Sequence, residues 1–246
     1  MIAVRSLIFN AVFYVNLVLF LVLGSWFSLM PRKWAVRALQ AWASTSVLLL
    51  RVIAGIRVEV RGAEHIPQGA ALVAAKHQSL WETFALIPMV DDPAMVLKRE
   101  LVWIPLFGWF IPKFRMIAVE RSAGSQALRK MIADAKAAAA MGRQIVIFPE
   151  GTRRPPDAPP EYKPGAAALY LALGLPCTPV ALNSGLYWPR RKFQRYPGTV
   201  IVEFLPAIPP GLPRRDFAQR LEAAIEGATS RLVAEGRIGQ IKNDRI

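Results

Sequence analysis

From Ser6 to Met30 the chain carries no charged side chain, and Leu, Val and Phe dominate the run. It is longer than the roughly 20 apolar residues needed to cross a hydrocarbon core. It is also too long for the apolar stretch of a typical cleaved leader, and no Ala-x-Ala site follows it, so an anchor is expected. Arg32, Lys33 and Arg37 come after the run, whereas only Arg5 precedes it. That bias of positive charge expects the rest of the chain on the cytoplasmic side. Trp26, Trp34 and Trp42 suit a headgroup interface. A second apolar stretch, Ala38 to Leu50, reads as too short to span. Pro31-Arg32-Lys33 could turn the chain back, which favours a hairpin lying in one leaflet; a true span is the alternative the sequence leaves open. Residues 1–55 therefore read as a membrane-associated helical segment, and 56–246 as the domain it anchors.

The whole composition agrees with an anionic membrane surface. The chain is 54% hydrophobic with a formal net charge of +14, a mean hydropathy of +0.30 and a pI near 10.6. Being both basic and apolar points to lipid rather than nucleic acid, and no nucleic-acid recognition motif occurs. One cysteine, Cys177, excludes an intrachain disulfide and reads as a buried, inert thiol. Two histidines and one cysteine cannot supply the usual zinc ligand sets, so no metal is expected. Neither a G-x-S-x-G elbow nor a phosphate-binding G-x-x-x-x-G-K-[ST] loop is present.

Beyond residue 56 short strand-like runs alternate with helical patterns. Strands are expected at 57–60, 70–75, 94–97, 116–119, 144–148, 177–182 and 199–205, and helices at 80–89, 125–141, 165–173 and 214–235. This alternation predicts an α/β fold with a mainly parallel sheet flanked by helices. In the last helix Phe217, Leu221, Ile225, Ala228 and Leu232 share one face, a packing stripe.

Two motifs carry chemistry. In Lys76-His77-Gln78-Ser79-Leu80-Trp81-Glu82, His77 lies in the turn after an apolar strand, and Ser79 reads as the N-cap of a helix with Glu82 at its third position. A histidine there and a carboxylate in the first helical turn can face each other, as a general base and its orienting acid. Taken alone, the pair is equally well a surface histidine and a helix cap. Phe148-Pro149-Glu150-Gly151-Thr152-Arg153 follows a second strand. Pro149 ends that strand, Gly151 permits positive φ, and Arg153 offers a planar fork suited to phosphate. Such a turn sits at the carboxyl end of a strand, where open α/β sheets bind ligands. Lys98 and Lys163, at the expected end of a strand and before a helix, add candidate positive charge for a phosphate.

These motifs, together with Ile117-Ala118-Val119-Glu120-Arg121 and Leu175-Pro176-Cys177-Thr178-Pro179-Val180, stand in the order of the four sequence blocks of glycerolipid acyltransferases. The chain resembles bacterial 1-acylglycerol-3-phosphate (lysophosphatidic acid) acyltransferases from about Val58 to Pro206. That resemblance implies His77 as catalytic base, Glu82 as its acid partner, Arg121 on the acceptor's phosphate, and Glu150, Gly151, Thr152 and Arg153 in acceptor binding. Glu82 and Glu120 stand where the family usually has aspartate. The resemblance further implies a lysophospholipid acceptor, acyl-CoA or acyl carrier protein as donor, no cofactor, and a bacterial inner membrane with the catalytic domain facing the cytoplasm. The residues alone leave open a different lysolipid acceptor, and a non-catalytic basic lipid-binding protein.

Three further segments carry expectations. Leu101 to Phe114, rich in Trp and Phe, is either core or a dip into the membrane. Arg190, Arg191, Lys192 and Arg195, interleaved with Tyr187, Trp188, Phe193 and Tyr196, are expected to touch anionic lipid headgroups. The proline-rich stretch 155–160 is a rigid loop or a flap over the acceptor.

Overall fold

The computed structural model describes residues 1–120 and 123–243. Seven strands form one sheet: β1 (Ile56–Arg61), β2 (Ala71–Ala75), β3 (Pro93–Lys98), β4 (Ile117–Val119), β5 (Gln144–Ile147), β6 (Cys177–Leu182) and β7 (Gly198–Phe204). Their order is β1-β7-β6-β2-β5-β3-β4. Every neighbouring pair is parallel except β6 and β7. The α/β fold with a mainly parallel sheet is thus the one expected. The central strands β2, β5 and β6 are buried at every residue, which is why they read as continuous apolar runs rather than alternating ones.

Alternate residues of β2 feed two cores, because successive side chains point to opposite faces of a strand. Leu72 and Ala74 pack with Met131 and Ala135 of α5 (Gly124–Ala139), Leu169 of α6 (Gly165–Leu173) and Phe217, Leu221 and Ile225 of α7 (Arg214–Asn243). Val73 and Ala75 pack into the opposite core with Phe9 and Phe13 of α1 (Ile2–Leu23) and Leu39 and Ala43 of α2 (Arg32–Leu49). The N-terminal helices therefore cover one face of the sheet. Tyr170 of α6 stacks on Phe217 of α7 with ring centroids 3.7 Å apart, and the stripe read along the last helix is its packing face. Cys177 is fully buried, and burial pushes its thiol well above the usual range.

Several boundaries differ from expectation for identifiable reasons. The second apolar stretch is not too short to span. The helix begins at Arg32, directly after Pro31, and one π turn, Leu50–Ala54, extends it to Gly55, whose φ of 72° ends it. By length and composition both Ile2–Trp26 and Arg32–Ala54 are long and apolar enough to cross a membrane. The helix expected over 80–89 is cut to α3 (Glu82–Ala85) and a 3₁₀ turn, Ile87–Met89, since Pro88 has no N–H to continue it. Helix α7 runs on past residue 235 to Asn243. The 101–114 connection contains a 3₁₀ turn, Arg99–Trp103, and α4 (Phe107–Lys113). Phe110, Ile111 and Phe114 enter the core, whereas Trp103, Ile104 and Trp109 are exposed.

Helix α1 is apolar all round, and its two sides differ in what they meet. Phe9 and Phe13 pack on Trp188 at 5.4 and 5.8 Å, and Phe20 stacks on Phe110 of α4 at 5.7 Å. Leu7, Val15, Val18, Leu19, Val22 and Leu23 are exposed. The basic–aromatic segment divides as well. Arg195 does not reach outward: its N–H donates to Ser6 Oγ at 2.8 Å, Nη2 donates to Asn10 Oδ1 at 3.0 Å, and the guanidinium stacks on Trp188 at 4.3 Å. Burial draws its pKa down to about 10. Arg195 and Trp188 are thus interior staples for α1, and Tyr187 is buried against the C-terminal helix, correcting their place in a headgroup patch. Arg191, Lys192 and Phe193 are exposed. Trp42, also expected at an interface, packs instead against Phe13, Phe20 and Phe84.

Candidate active site

Strands β2, β3, β4, β5 and β6 all point their carboxyl ends to one edge of the sheet. The register Ala74↔Ile147 puts the loops after β2 and β5 side by side. His77 and Phe148 emerge from those two loops, and their rings stack with centroids 4.2 Å apart.

Glu82 is completely enclosed, and donors surround it. Oε1 lies 3.0 Å from His77 Nδ1 and accepts the N–H groups of Gln78 at 2.6 Å and Ser79 at 2.7 Å. Oε2 accepts the hydroxyls of Ser79 at 3.1 Å and Ser184 at 2.8 Å. The helix begins at Glu82 itself with Trp81 as its N-cap, not at Ser79 with Glu82 in third place as the spacing suggested. Ser79 still bonds back through its N–H to Glu82, and its Oγ accepts the Trp81 N–H at 2.8 Å. One carboxylate thus ties the turn and meets His77. Because Glu82 is the acceptor in this shell, Nδ1 carries the proton toward it, and Nε2 is left as the lone-pair nitrogen. The imidazole side chain is only 12% exposed, and Nε2 makes no hydrogen bond among the described residues.

The third-block loop sits against this pair. Gly151 takes φ 65° and its N–H bonds the Phe148 carbonyl at 2.9 Å, closing the turn. The Arg154 N–H donates to the His77 carbonyl at 2.8 Å. Glu150 is closed off from solvent: Oε2 accepts the His77 N–H at 3.0 Å, and Oε1 pairs with Lys76 Nζ at 3.0 Å. Lys76, itself buried, also pairs with Glu226 Oε1 on α7 at 2.7 Å, and the Tyr162 hydroxyl donates to the same oxygen at 2.9 Å. Burial raises the Glu150 pKa above the ordinary range even though Lys76 pulls it down.

Other expected residues fall around this centre. Thr152 and Arg153 are half-buried, and the Arg153 guanidinium makes no hydrogen bond or ion pair among the described residues. Lys98 is exposed at the carboxyl end of β3, two strands from β2 in the sheet. Lys163 is exposed and ion-paired with Glu161, while its N–H bonds the Pro149 carbonyl at 2.8 Å. Arg121 lies outside the described residues; Glu120, just before it, is ion-paired with Arg99. Ser184, Glu226 and Tyr162 were not singled out in the sequence. Ser184 had a signal, since a polar residue directly after the apolar run of β6 falls at the same sheet edge.

The family model described as Acyltransferase matches residues 57–183, from β1 through β6. The chain belongs to the acyltransferase family. Over 169 residues it is 41% identical to the 1-acyl-sn-glycerol-3-phosphate acyltransferase of Pseudomonas aeruginosa, covering 69% of this chain and 66% of that protein. It is 29% identical over 166 residues to the 1-acyl-sn-glycerol-3-phosphate acyltransferase alpha of Mus musculus, covering 66% and 58%. The aligned part thus spans just under two thirds of the first relative and less of the second. In fold, this acyltransferase is similar to the crystal structure of the 1-acyl-sn-glycerophosphate (LPA) acyltransferase, PlsC, from Thermotoga maritima. The TM-score is 0.78 at 22% identity, over 94% of this chain and 99% of that one. The acyltransferase match ends at residue 183, so α7, with Glu226, and the loop carrying Arg190 lie beyond it.

Proposed function

We propose that this acyltransferase moves a fatty acyl group from a thioester of coenzyme A or acyl carrier protein to the free hydroxyl of lysophosphatidic acid, giving phosphatidic acid. The observation that carries the reading is the pairing of His77 Nδ1 with the enclosed Glu82 carboxylate at 3.0 Å, beside a loop whose Arg153 has no ion-pair partner among the described residues. The names of the relatives point to the same acceptor.

In this mechanism Nε2 of His77 takes the proton from the acceptor hydroxyl as its oxygen attacks the thioester carbonyl carbon. Glu82 holds the ring in the productive tautomer and stabilises the imidazolium. The tetrahedral intermediate collapses with cleavage of the carbon–sulfur bond, and the imidazolium returns the proton to the leaving thiolate. Arg153, with Lys98 and Lys163 along the same edge, supplies positive charge for the acceptor's phosphate, a role the family resemblance also gives to Arg121. Glu150, Gly151 and Thr152 shape the loop that presents Arg153.

The apolar outer side of α1, backed by contacts with the catalytic domain from Ser6 to Phe20, supports a hairpin lying in one leaflet. A helix held by the domain from Ser6 to Phe20 favours lying beside it over spanning apart from it. Arg191 and Lys192 would face anionic headgroups, on the cytoplasmic side of a bacterial inner membrane. Replacing both by glutamine is expected to weaken binding to anionic liposomes; unchanged binding would remove them from the lipid surface.

The test of the reaction is thiol release by the purified, detergent-solubilised protein given lysophosphatidic acid and a long-chain acyl-CoA, beside His77→Ala. Acceptor-dependent release that disappears in the variant supports it. Absence of release from folded wild-type protein with acyl-CoA and with acyl carrier protein donors overturns it.

A further inference from the structure

Among the described residues, buried donors without a partner include Arg154 Nε, Arg190 Nε and the side-chain amide nitrogen of Gln78, carried by the loops after β5, β6 and β2. Their other atoms tie them to neighbouring loops. Gln78 Oε1 accepts the Gly185 N–H at 2.9 Å, and Arg190 Nη1 donates to the Arg153 carbonyl at 2.7 Å. A Cβ built on Gly185 would come within 2.9 Å of Pro156, so the loops after β5 and β6 are in close contact here. Buried donors are nearly always satisfied, and an unmatched charged donor is more costly than a neutral one.

The charges are unbalanced in the same place. Arg154 has Glu161 on Nη1 at 2.7 Å, but Glu161 also serves Lys163. No carboxylate pairs with Arg153 or Arg190 among the described residues, yet the Arg190 guanidinium rests on the Arg153 main chain. With Nη1 engaged and Nε closed off from solvent, Nη2 is the nitrogen of Arg190 left to meet a ligand. A guanidinium N–H of this kind makes a charge-assisted hydrogen bond to phosphate. An anion there answers the excess charge.

We infer that Arg190 binds the acceptor's phosphate through Nη2, next to Arg153, and so helps set specificity for a phosphorylated acceptor. This rests on the acyltransferase reading proposed above. The position suits it, because only a few covalent bonds separate that phosphate from the reacting hydroxyl, and the loop gripped by Arg190 is itself bonded to His77. Arg190 lies outside the stretch matched by the family model.

The experiment compares Arg190→Gln and Arg190→Lys with wild type in thiol release, varying lysophosphatidic acid and acyl-CoA separately. Arg190→Gln is expected to raise the acceptor KM roughly tenfold to a hundredfold, the usual loss for charge-assisted hydrogen bonds, with kcat and the acyl-CoA KM little changed. It should also narrow the preference for lysophosphatidic acid over monoacylglycerol, which has no phosphate. Arg190→Lys, which keeps the charge and loses the fork, should fall between. An unchanged acceptor KM, or a rise in the acyl-CoA KM instead, overturns the inference.

A second arm needs no turnover. Glycerol 3-phosphate should raise the Tm of wild type and of Arg220→Gln, an exposed change on α7, but not of Arg190→Gln. No rise in wild type, or an equal rise in all three, also overturns the site. Wild type that binds glycerol 3-phosphate through Arg190 but releases no thiol would instead overturn the reaction and leave the anion site standing.

Discussion

Lys76 Nζ lies 3.0 Å from Glu150 Oε1, and both side chains are shut away from solvent. The pair joins the loop that carries His77 to the loop that carries Arg153, and Glu226 extends it to α7. Removing one partner strands the other as a buried charge. Lys76→Met is therefore expected to lower stability by about 3–5 kcal/mol. Lys76→Met combined with Glu150→Gln should recover much of that, because Gln still accepts the His77 N–H. Equilibrium urea unfolding of both variants checks this; a double variant no better than the single one would show that the pair is not coupled.

Glu82 faces donors on both oxygens. Glu82→Gln places an amide among them and removes the anion that steadies the imidazolium. Its kcat should fall about 10³–10⁴-fold, in the range seen when the orienting carboxylate of a triad is neutralised, with acceptor KM nearly unchanged. His77→Ala should be at least as severe. Steady-state thiol release reports both.

Ser184, in the 3₁₀ turn that follows β6, holds the far oxygen of Glu82. Ser184→Ala removes one of two hydroxyl donors there and leaves Ser79. The expected cost is about 1.5–3 kcal/mol in stability, as for a hydrogen bond to a charged group, and a several-fold drop in kcat. A Tm measurement beside the rate separates the two effects: loss of stability with an unaltered rate would make Ser184 purely structural.

Asp92, just before β3, receives Arg32 Nη1 of α2 at 2.7 Å and Arg143 Nε at 3.1 Å. Burial pushes its carboxyl up, but the two arginines outweigh burial and hold it below the usual range. A carboxylate depressed in the folded state contributes stability above its unfolded pKa, about 3.9, and loses it as pH falls through the folded value. The Tm difference between wild type and Asp92→Asn should therefore be full at pH 7 and close below about pH 4. A gap independent of pH would sink the electrostatic account.

All seven strands were legible within two residues at either end, because three central strands are buried at every residue and mostly apolar, and Pro or Gly stands at many of their ends. The pair His77 and Glu82 was legible as well, since the spacing that ties Glu82 back to Ser79 also lets it meet His77. The Lys76–Glu226 contact was not: it joins residues far apart in the chain, and a lysine beside a histidine gives no sign of being buried. The role of α1 was equally hidden. Ser6 and Asn10 share the side that meets Arg195, but in a helix otherwise so apolar two small polar residues do not mark off the packed side from the exposed one.

The hairpin α1–α2 is also one wall of the fold. Trimming the first 55 residues to obtain a convenient water-soluble fragment would lay bare Val73, Ala75, Val146 and Val202, which now share a core with Phe9 and Leu39. What remained would be a half-clad sheet prone to clump, not a liberated catalyst. Solubility has to be sought by repainting the outer side of α1, at Leu7, Val15 and Val22, while its inner side stays as it is. Membrane attachment here is woven into the architecture rather than appended to it.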